Sequence, residues 1–203
     1  MATKQHKKFE GIFRTGRIKG YKAGEVEVRD YFIDKAQQTR INRSPISIIE
    51  SPAARSHSVV TPTPGKLLMY QYDAKHKDTL PYWDRFPVMF PIDVTGKHFL
   101  GLNMHYLPPT YRVRLFDALF DNLNNEHYDK TTKVNVNYQI LKAASNLKYF
   151  KPCLKKYLFS HVRSNLVEIP VEEWAYCCFL PLARFQKASQ RRVWDDSIRK
   201  IMS

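Results

Sequence analysis

The chain has 203 residues, with 33 Lys and Arg against 19 Asp and Glu, for a formal net charge of +14. That length, with 43% hydrophobic and 13% aromatic residues, supports one packed domain carrying an extended arm and excludes wholesale disorder. No run of about 18 apolar residues occurs, which excludes a helical membrane span, and the polar, basic start Met1–Lys8 does not read as a secretory signal.

In chain order, residues 1–24 hold four of the seven glycines (Gly11, Gly16, Gly20, Gly24) among cations that include Arg14, Arg17 and Lys19, and read as a basic flexible arm. Residues 25–64 read as a helix plus a linker. Val28, Phe32 and Ala36 lie four apart and predict a helix over Glu25–Arg40 that ends near Asn42. Ser44-Pro45, Ser51-Pro52, Thr61-Pro62 and Thr63-Pro64 follow, and a residue before proline avoids the α region, so this stretch is extended.

Residues 65–203 read as a single α+β domain with a basic C-terminal helical part. Leu67–Tyr72 predicts a buried strand, and Phe86–Asp93 a second, which Pro87 and Pro91 restrict to an edge or a bulge. Phe99–Tyr106 sets Phe99, Gly101, Asn103 and His105 against Leu100, Leu102, Met104 and Tyr106, the alternation of a half-buried strand. Val113, Phe116, Leu119, Phe120 and Leu123 follow at helical spacing. Asn137–Tyr149 predicts another helix, and Pro152 starts a third that runs to about His161, since proline suits a first helical turn. Asn165–Ile169 predicts a short strand, Pro170–Trp174 a short helix, and Ser189–Met202 a last helix with Val193, Ile198 and Ile201 on one side. The expected fold is thus α+β: a small antiparallel sheet over about 66–107, barrel-like or meandering, flanked by helices and preceded by a basic arm.

The charge is unevenly spread. Residues 1–65 carry 12 cations and 6 carboxylates, residues 66–130 carry 8 of each, and residues 131–203 carry 13 and 5. Between Lys133 and Arg163 there are seven cations and no acid, whereas a solvated helix face interleaves both signs. Such a surface repels itself until something anionic neutralises it, and a polyphosphate does so with release of counterions. The candidate phosphate contacts are Lys142, Lys148, Lys151, Lys155, Lys156 and Arg163; a second cluster of Arg184, Lys187, Arg191 and Arg192; and Arg14, Arg17, Lys19, Arg40 and Arg43 from the N-terminal part. The competing reading is an acidic protein surface inside a larger assembly. A lipid surface finds no support, because no basic amphipathic helix with a Trp/Phe/Leu face is present.

Tyr149, Phe150, Tyr157 and Phe159 interleave with Lys148, Lys151, Lys155 and Lys156. Aromatics in that setting stack bases or fill a core while lysines reach outward, and the core reading is preferred for the rings. Tyr72–Pro87 is dense in Asp, His and Lys, and Asp93-Val94-Thr95-Gly96-Lys97 imitates a nuclease Asp/Lys pair, but no second carboxylate is spaced to share an ion. The Asp residues are expected to cap turns and pair with nearby cations, while Tyr82 and Trp83 cover the sheet. His105 beside Asn103 reads as a satisfied structural group. Cys153, Cys177 and Cys178 lack paired ligand spacing and read as core thiols. No nucleophile elbow, phosphate loop or dinucleotide fingerprint is present, so the sequence implies no enzyme, no cofactor and no metal.

Three runs, Pro64–Asp73 (PGKLLMYQYD), Leu80–Pro87 (LPYWDRFP) and Phe99–Pro108 (FLGLNMHYLP), resemble a pattern of virion proteins from T4-like tailed phages, with the DNA end protector group as the nearest match. The resemblance covers roughly residues 64–120. It implies a non-enzymatic virion protein that binds the ends or backbone of packaged linear double-stranded DNA and shields the ends from exonuclease. It implies a place in the virion and in the host cytoplasm during assembly and after injection, and other head or tail proteins as neighbours. The alternatives are a structural adaptor of the head–neck, tail or baseplate that binds acidic protein and, behind it, a metal-dependent nuclease.

Overall fold

The computed structural model describes residues 49–50, 55–123, 125–171, 174 and 182–203. The predicted arm, the helix over Glu25–Arg40, Glu172 and Glu173 of the helix predicted over Pro170–Trp174, Cys177 and Cys178 lie outside the described residues, as do Arg14, Arg17, Lys19, Arg40 and Arg43.

The strands in chain order are β1 (Ser58–Val59), β2 (Leu68–Met69), β3 (Trp83–Asp84), β4 (Val88–Val94), β5 (His98–Asn103), β6 (Leu154–Leu158), β7 (Leu166–Glu168) and β8 (Phe185–Gln186). The helices are α1 (Pro109–Leu123), α2 (Lys130–Asn146) and α3 (Gln190–Met202), with 3-10 turns at Met104–Tyr106, Lys148–Cys153 and Phe159–His161. Six strands form one antiparallel sheet in the order β1-β7-β2-β4-β5-β6, and β3 pairs with β8 in a separate ribbon. The α+β class is as expected; β4 and β5 form a hairpin, and β6 returns beside β5 after α1 and α2. The sheet is open, so the barrel-like option falls, and it extends beyond residues 66–107 by recruiting β1, β6 and β7.

Local chemistry explains most of the boundaries. Asp129 caps α2 by accepting from the Thr132 amide at 2.7 Å, and Ser189 caps α3 by accepting from the Arg192 amide at 3.3 Å. The β4–β5 hairpin closes on Thr95, whose amide donates to the His98 carbonyl at 2.8 Å. Pro91 has no N–H to give the ladder, and the register shifts between Pro91 and Asp93, the bulge that its sequence demands. β4 nevertheless lies between β2 and β5, an interior position rather than an edge.

Two expectations fail for one reason. Phe99–Tyr106 is not half-buried, because the sheet has a core on each face. One core packs Phe90, Leu102 and Met69 against Phe116, Leu119, Leu141, Trp174 and Val193 from the helical side. The other gathers Leu68, Tyr70, Tyr72, Met89, Phe99, Tyr157 and Leu166 on the opposite side. Strands covered on both faces lose the polar alternation. The second core also corrects the helix predicted over Pro152–His161: Leu154–Leu158 is a strand paired to β5, with Lys155 opposite Gly101 and Tyr157 opposite Phe99. Pairing buries Tyr157 between Tyr70 and Tyr72, whose ring centroids lie 5.6 and 4.9 Å away, and that packing outweighs weak local helix preference.

Cys153 is a buried thiol, as expected; burial pushes it up to about 12, and its Sγ contacts the Phe150 carbonyl at 2.9 Å. Two glycines are required by space. Gly65 has φ +87° and lies on the backbone of α2, where a Cβ would stand 2.9 Å from the Val134 carbonyl oxygen. A Cβ on Gly101 would overlap the Met89 methyl and the Phe90 carbonyl oxygen. Gly101→Ala is therefore expected to destabilise the fold by about 1–3 kcal/mol, the usual range for overpacking. Denaturant unfolding measures it, and an unchanged midpoint would show that the sheet has slack at this crossing.

Candidate nucleic-acid interface

The site begins at Asp84, a carboxylate that the fold removes from water: the residue is 2% exposed. Its Oδ2 accepts from His105 Nδ1 at 2.6 Å and from Asn103 Nδ2 at 3.1 Å, and its Oδ1 accepts from the amides of Phe86 at 3.1 Å and Arg184 at 3.4 Å. Asn103 Nδ2 also donates to the Tyr157 hydroxyl at 2.8 Å, and Asn103 Oδ1 accepts from the His105 amide at 2.9 Å. Burial pushes the Asp84 carboxyl up, but His105 and the surrounding donors more than reverse it and leave it below the ordinary carboxylate range. The backbone carbonyl of His105 accepts from Trp194 Nε1 at 2.9 Å and from buried Arg112 at 3.3 Å, which ties α3 and α1 to the same point. His105 is tied into the fold through Nδ1 and its backbone, but its buried Nε2 has no hydrogen-bond partner, so the satisfied group expected from sequence is met on one ring nitrogen only. Asp84 caps the turn through the Phe86 amide, as expected, and is in addition the buried carboxylate on which these segments meet.

Above this network opens a cavity of about 600 Å³. Its walls come from the Tyr72–Asp84 segment, from Tyr106, from β6 and from the end of α3. Four lysines (Lys75, Lys155, Lys156 and Lys200) and His76 face it, with Asp84 as the one carboxylate in the lining. Tyr82, Trp83 and Tyr106 supply aromatic surface. The Lys155 ammonium lies 4.1 Å from the centroid of the Tyr106 ring, a cation–π contact. Burial, and then the neighbouring Lys200 ammonium, push Lys155 down to about 8. The Tyr82 hydroxyl is held by Asp196 of α3, which in turn pairs with Arg199.

The sequence-predicted cations divide by position. Lys155 and Lys156 sit at the cavity. Lys148 and Lys151 are exposed on the 3-10 turn leading into β6, and Lys142 is exposed on α2 with its ammonium 5.6 Å from the Tyr138 ring. Arg191 and Arg192 are exposed in the first turn of α3, and Arg184 is exposed beside β8. Lys187 has φ +66° and spends its ammonium on the carbonyls of Lys77, Asp78 and Leu80, holding that turn shut. Arg163 donates to the Ser160 carbonyl at 3.1 Å and lies 4.0 Å from Asp73, which also pairs with Lys77. Of the interleaved rings, Phe150 and Tyr157 are core and Phe159 is half-buried, whereas Tyr149 is 51% exposed and stacks on Tyr111.

Sequence reasoning missed Lys75, His76, Lys200, Tyr82 and Tyr106 as partners of one cavity. The density of charge in Tyr72–Pro87 was the available signal, but only the closure of β6 and α3 onto that segment assembles it. Asp93 is exposed at the β4 bulge, remote in role from Asp84, and no cluster of three or more metal-ligating side chains exists among the described residues. No helix among the described residues is long and apolar enough to cross a membrane.

The lowered Asp84 carboxyl has a pH consequence. Its contribution to stability is complete above the ordinary carboxylate value, about pH 4, and is lost as the pH falls through its lower folded value. Asp84→Asn is expected to cost about 3–5 kcal/mol at neutral pH, because His105 and the donors around it lose their charge partner. Its stability should also fall less steeply than that of the wild type below about pH 4. Urea titrations across that range measure both, and parallel acid limbs would remove Asp84 from the account.

No curated protein and no solved structure matches this chain. The family described as phage T4 terminal DNA protecting protein matches residues 28–199, which takes in the sheet, α1, α2, the cavity lining except Lys200, and nearly all of α3. A match over that much of the sequence places the chain in the phage T4 terminal DNA protecting protein family.

Proposed function

We propose that the protein binds the ends of linear double-stranded DNA through lysine and arginine contacts to phosphate, without chemistry, and thereby keeps exonucleases from the termini. The family match over residues 28–199 carries this reading. The charge pattern supports it: the acid-free stretch Lys133–Arg163 includes an edge strand, β6, where Lys156 is exposed and Lys155 faces the cavity. Lysines on an edge strand also discourage strand-to-strand association, but that role needs neither Lys148 and Lys151 nor a basic cavity. Contacts to phosphate carry no base information, so in this reading binding is independent of sequence. In the same reading the protein resides in the virion with head or tail proteins as neighbours, and passes through the host cytoplasm.

The test is binding of one labelled DNA in linear and covalently closed circular form across a salt series, followed by exonuclease challenge. Tighter binding to the linear form with protected ends is the expected result; equal binding to both forms would reduce the protein to a general DNA binder. Absence of binding at physiological salt would favour an adaptor meeting acidic protein. Neutralising Lys148, Lys151 and Lys156 together should weaken binding equally for unrelated sequences. It should also reduce the magnitude of the log–log salt slope by about 0.9 for each phosphate that is no longer neutralised. An unchanged slope would take these three lysines out of the interface.

A further inference from the structure

Resting on the end-binding reading, the geometry points to the cavity between the Tyr72–Asp84 segment, β6 and α3 as the place where a terminal nucleotide of the DNA is held, with its phosphate monoester on Lys155 and Lys200 and its base against the half-buried rings of Tyr82 and Trp83.

The cavity's size comes first. About 600 Å³ has room for a single nucleotide and is too small for a base-paired helix, so what enters is a nucleotide out of the duplex, which a strand end releases at least cost. Its chemistry comes second. An end differs from the interior of a duplex in two respects. It presents a ring face that is free to stack, and, when phosphorylated, it carries a monoester whose second ionisation near pH 6 gives it up to two negative charges. The cavity answers both. Aromatic side chains accept a ring of any base, which keeps the site independent of sequence. Lysines from two elements distant in sequence, Lys155 on β6 and Lys200 on the last turn of α3, face one space.

These two ammonium groups press on each other, and Lys155 is drawn partly out of water over the Tyr106 ring. No ion pair of Lys155 or Lys200 with a carboxylate occurs among the described residues. Asp84, the one acid of the lining, is saturated by His105, Asn103 and two backbone amides. Two cations held together without an acid partner form a site that a dianion completes. Lys156 on the exposed side of β6 and Lys75 at the opposite wall supply charge for the next phosphate of the strand.

The experiment uses the full chain and one blunt duplex prepared with 5′-phosphates, with 3′-phosphates or with hydroxyls at both termini, beside the same sequence as a closed circle. Binding is followed by fluorescence anisotropy. One of the phosphorylated forms should bind about tenfold tighter than the hydroxyl form, and which of them does so identifies the strand end that enters. Lys155→Gln and Lys200→Gln should each bring the ratio of phosphorylated-end to hydroxyl-end affinity down to about one. Lys200 is exposed, so its variant tests the site even if Lys155→Gln perturbs the fold. Equal binding of all three linear forms, with the circle weaker, overturns the phosphate site and leaves end binding standing. Equal binding of the circle as well overturns end binding itself. A phosphate preference that survives Lys200→Gln overturns the assignment to this cavity.

Discussion

A single buried carboxylate organises this fold. Taking Asp84 out of water costs several kcal/mol unless its charge is met, and only a particular arrangement of chain segments meets it. His105 must follow β5 into a 3-10 turn, Asn103 must point to the same side, and Tyr157 must arrive from β6 to receive the second Asn103 proton. The Arg184 amide must come in beside β8. Segments far apart in sequence are thereby fixed at one point, and those same segments form the floor and walls of the cavity. Arg112 and Trp194 extend the constraint to α1 and α3 through the His105 carbonyl. A register slip in β5 or β6 would leave a buried charge without its partners, so the network selects against alternatives as much as it stabilises.

The second consequence is electrostatic. Because the Asp84 oxygens are filled by internal donors, Asp84 makes no ion pair with the lysines of the cavity above it, and those lysines have no acid partner among the described residues. Elsewhere cations are matched: Lys66 pairs with Glu168, Lys77 with Asp73, Arg199 with Asp196, and Lys187 is consumed by three carbonyls. Lys155 and Lys200, with no carboxylate partner among the described residues, carry the unneutralised charge that the proposed polyanion contact uses. Conformational ordering adds little cost, since the Tyr106 and Tyr82 rings are already held, by Lys155 and Asp196 respectively.

Much of this was legible in the sequence. The α+β class, the Pro91 bulge, α1, α3, the short strand before Ile169 and the acid-free cationic stretch all follow from residues whose signals are local. What failed was non-local. Leu154-Lys155-Lys156-Tyr157-Leu158 reads as a helix after Pro152 until β5 offers Gly101 and Phe99 as pairing partners. The polar face of Phe99–Tyr106 reads as solvated until a second core covers it, and then Asn103 and His105 become the most buried polar groups on the strand and the turn that follows it. Asp84 gives no local sign that it is anything other than a turn acid, since its partner lies 21 residues away. The cavity's cations were visible as charge, but their convergence depends on tertiary contacts between the 72–84 segment, β6 and α3.

Photocrosslinking of the bound DNA terminus addresses the central claim most directly. A duplex carrying a photoreactive thymidine analogue at its last position is irradiated with the wild-type protein, and the crosslinked peptides are sequenced beside those from a duplex labelled only at its centre. If the cavity holds the end, the terminal label attaches to the peptide containing Tyr82 and Trp83 and the central label does not. Crosslinks from both labels at the same positions, or a terminal label attached only outside the cavity, would contradict it.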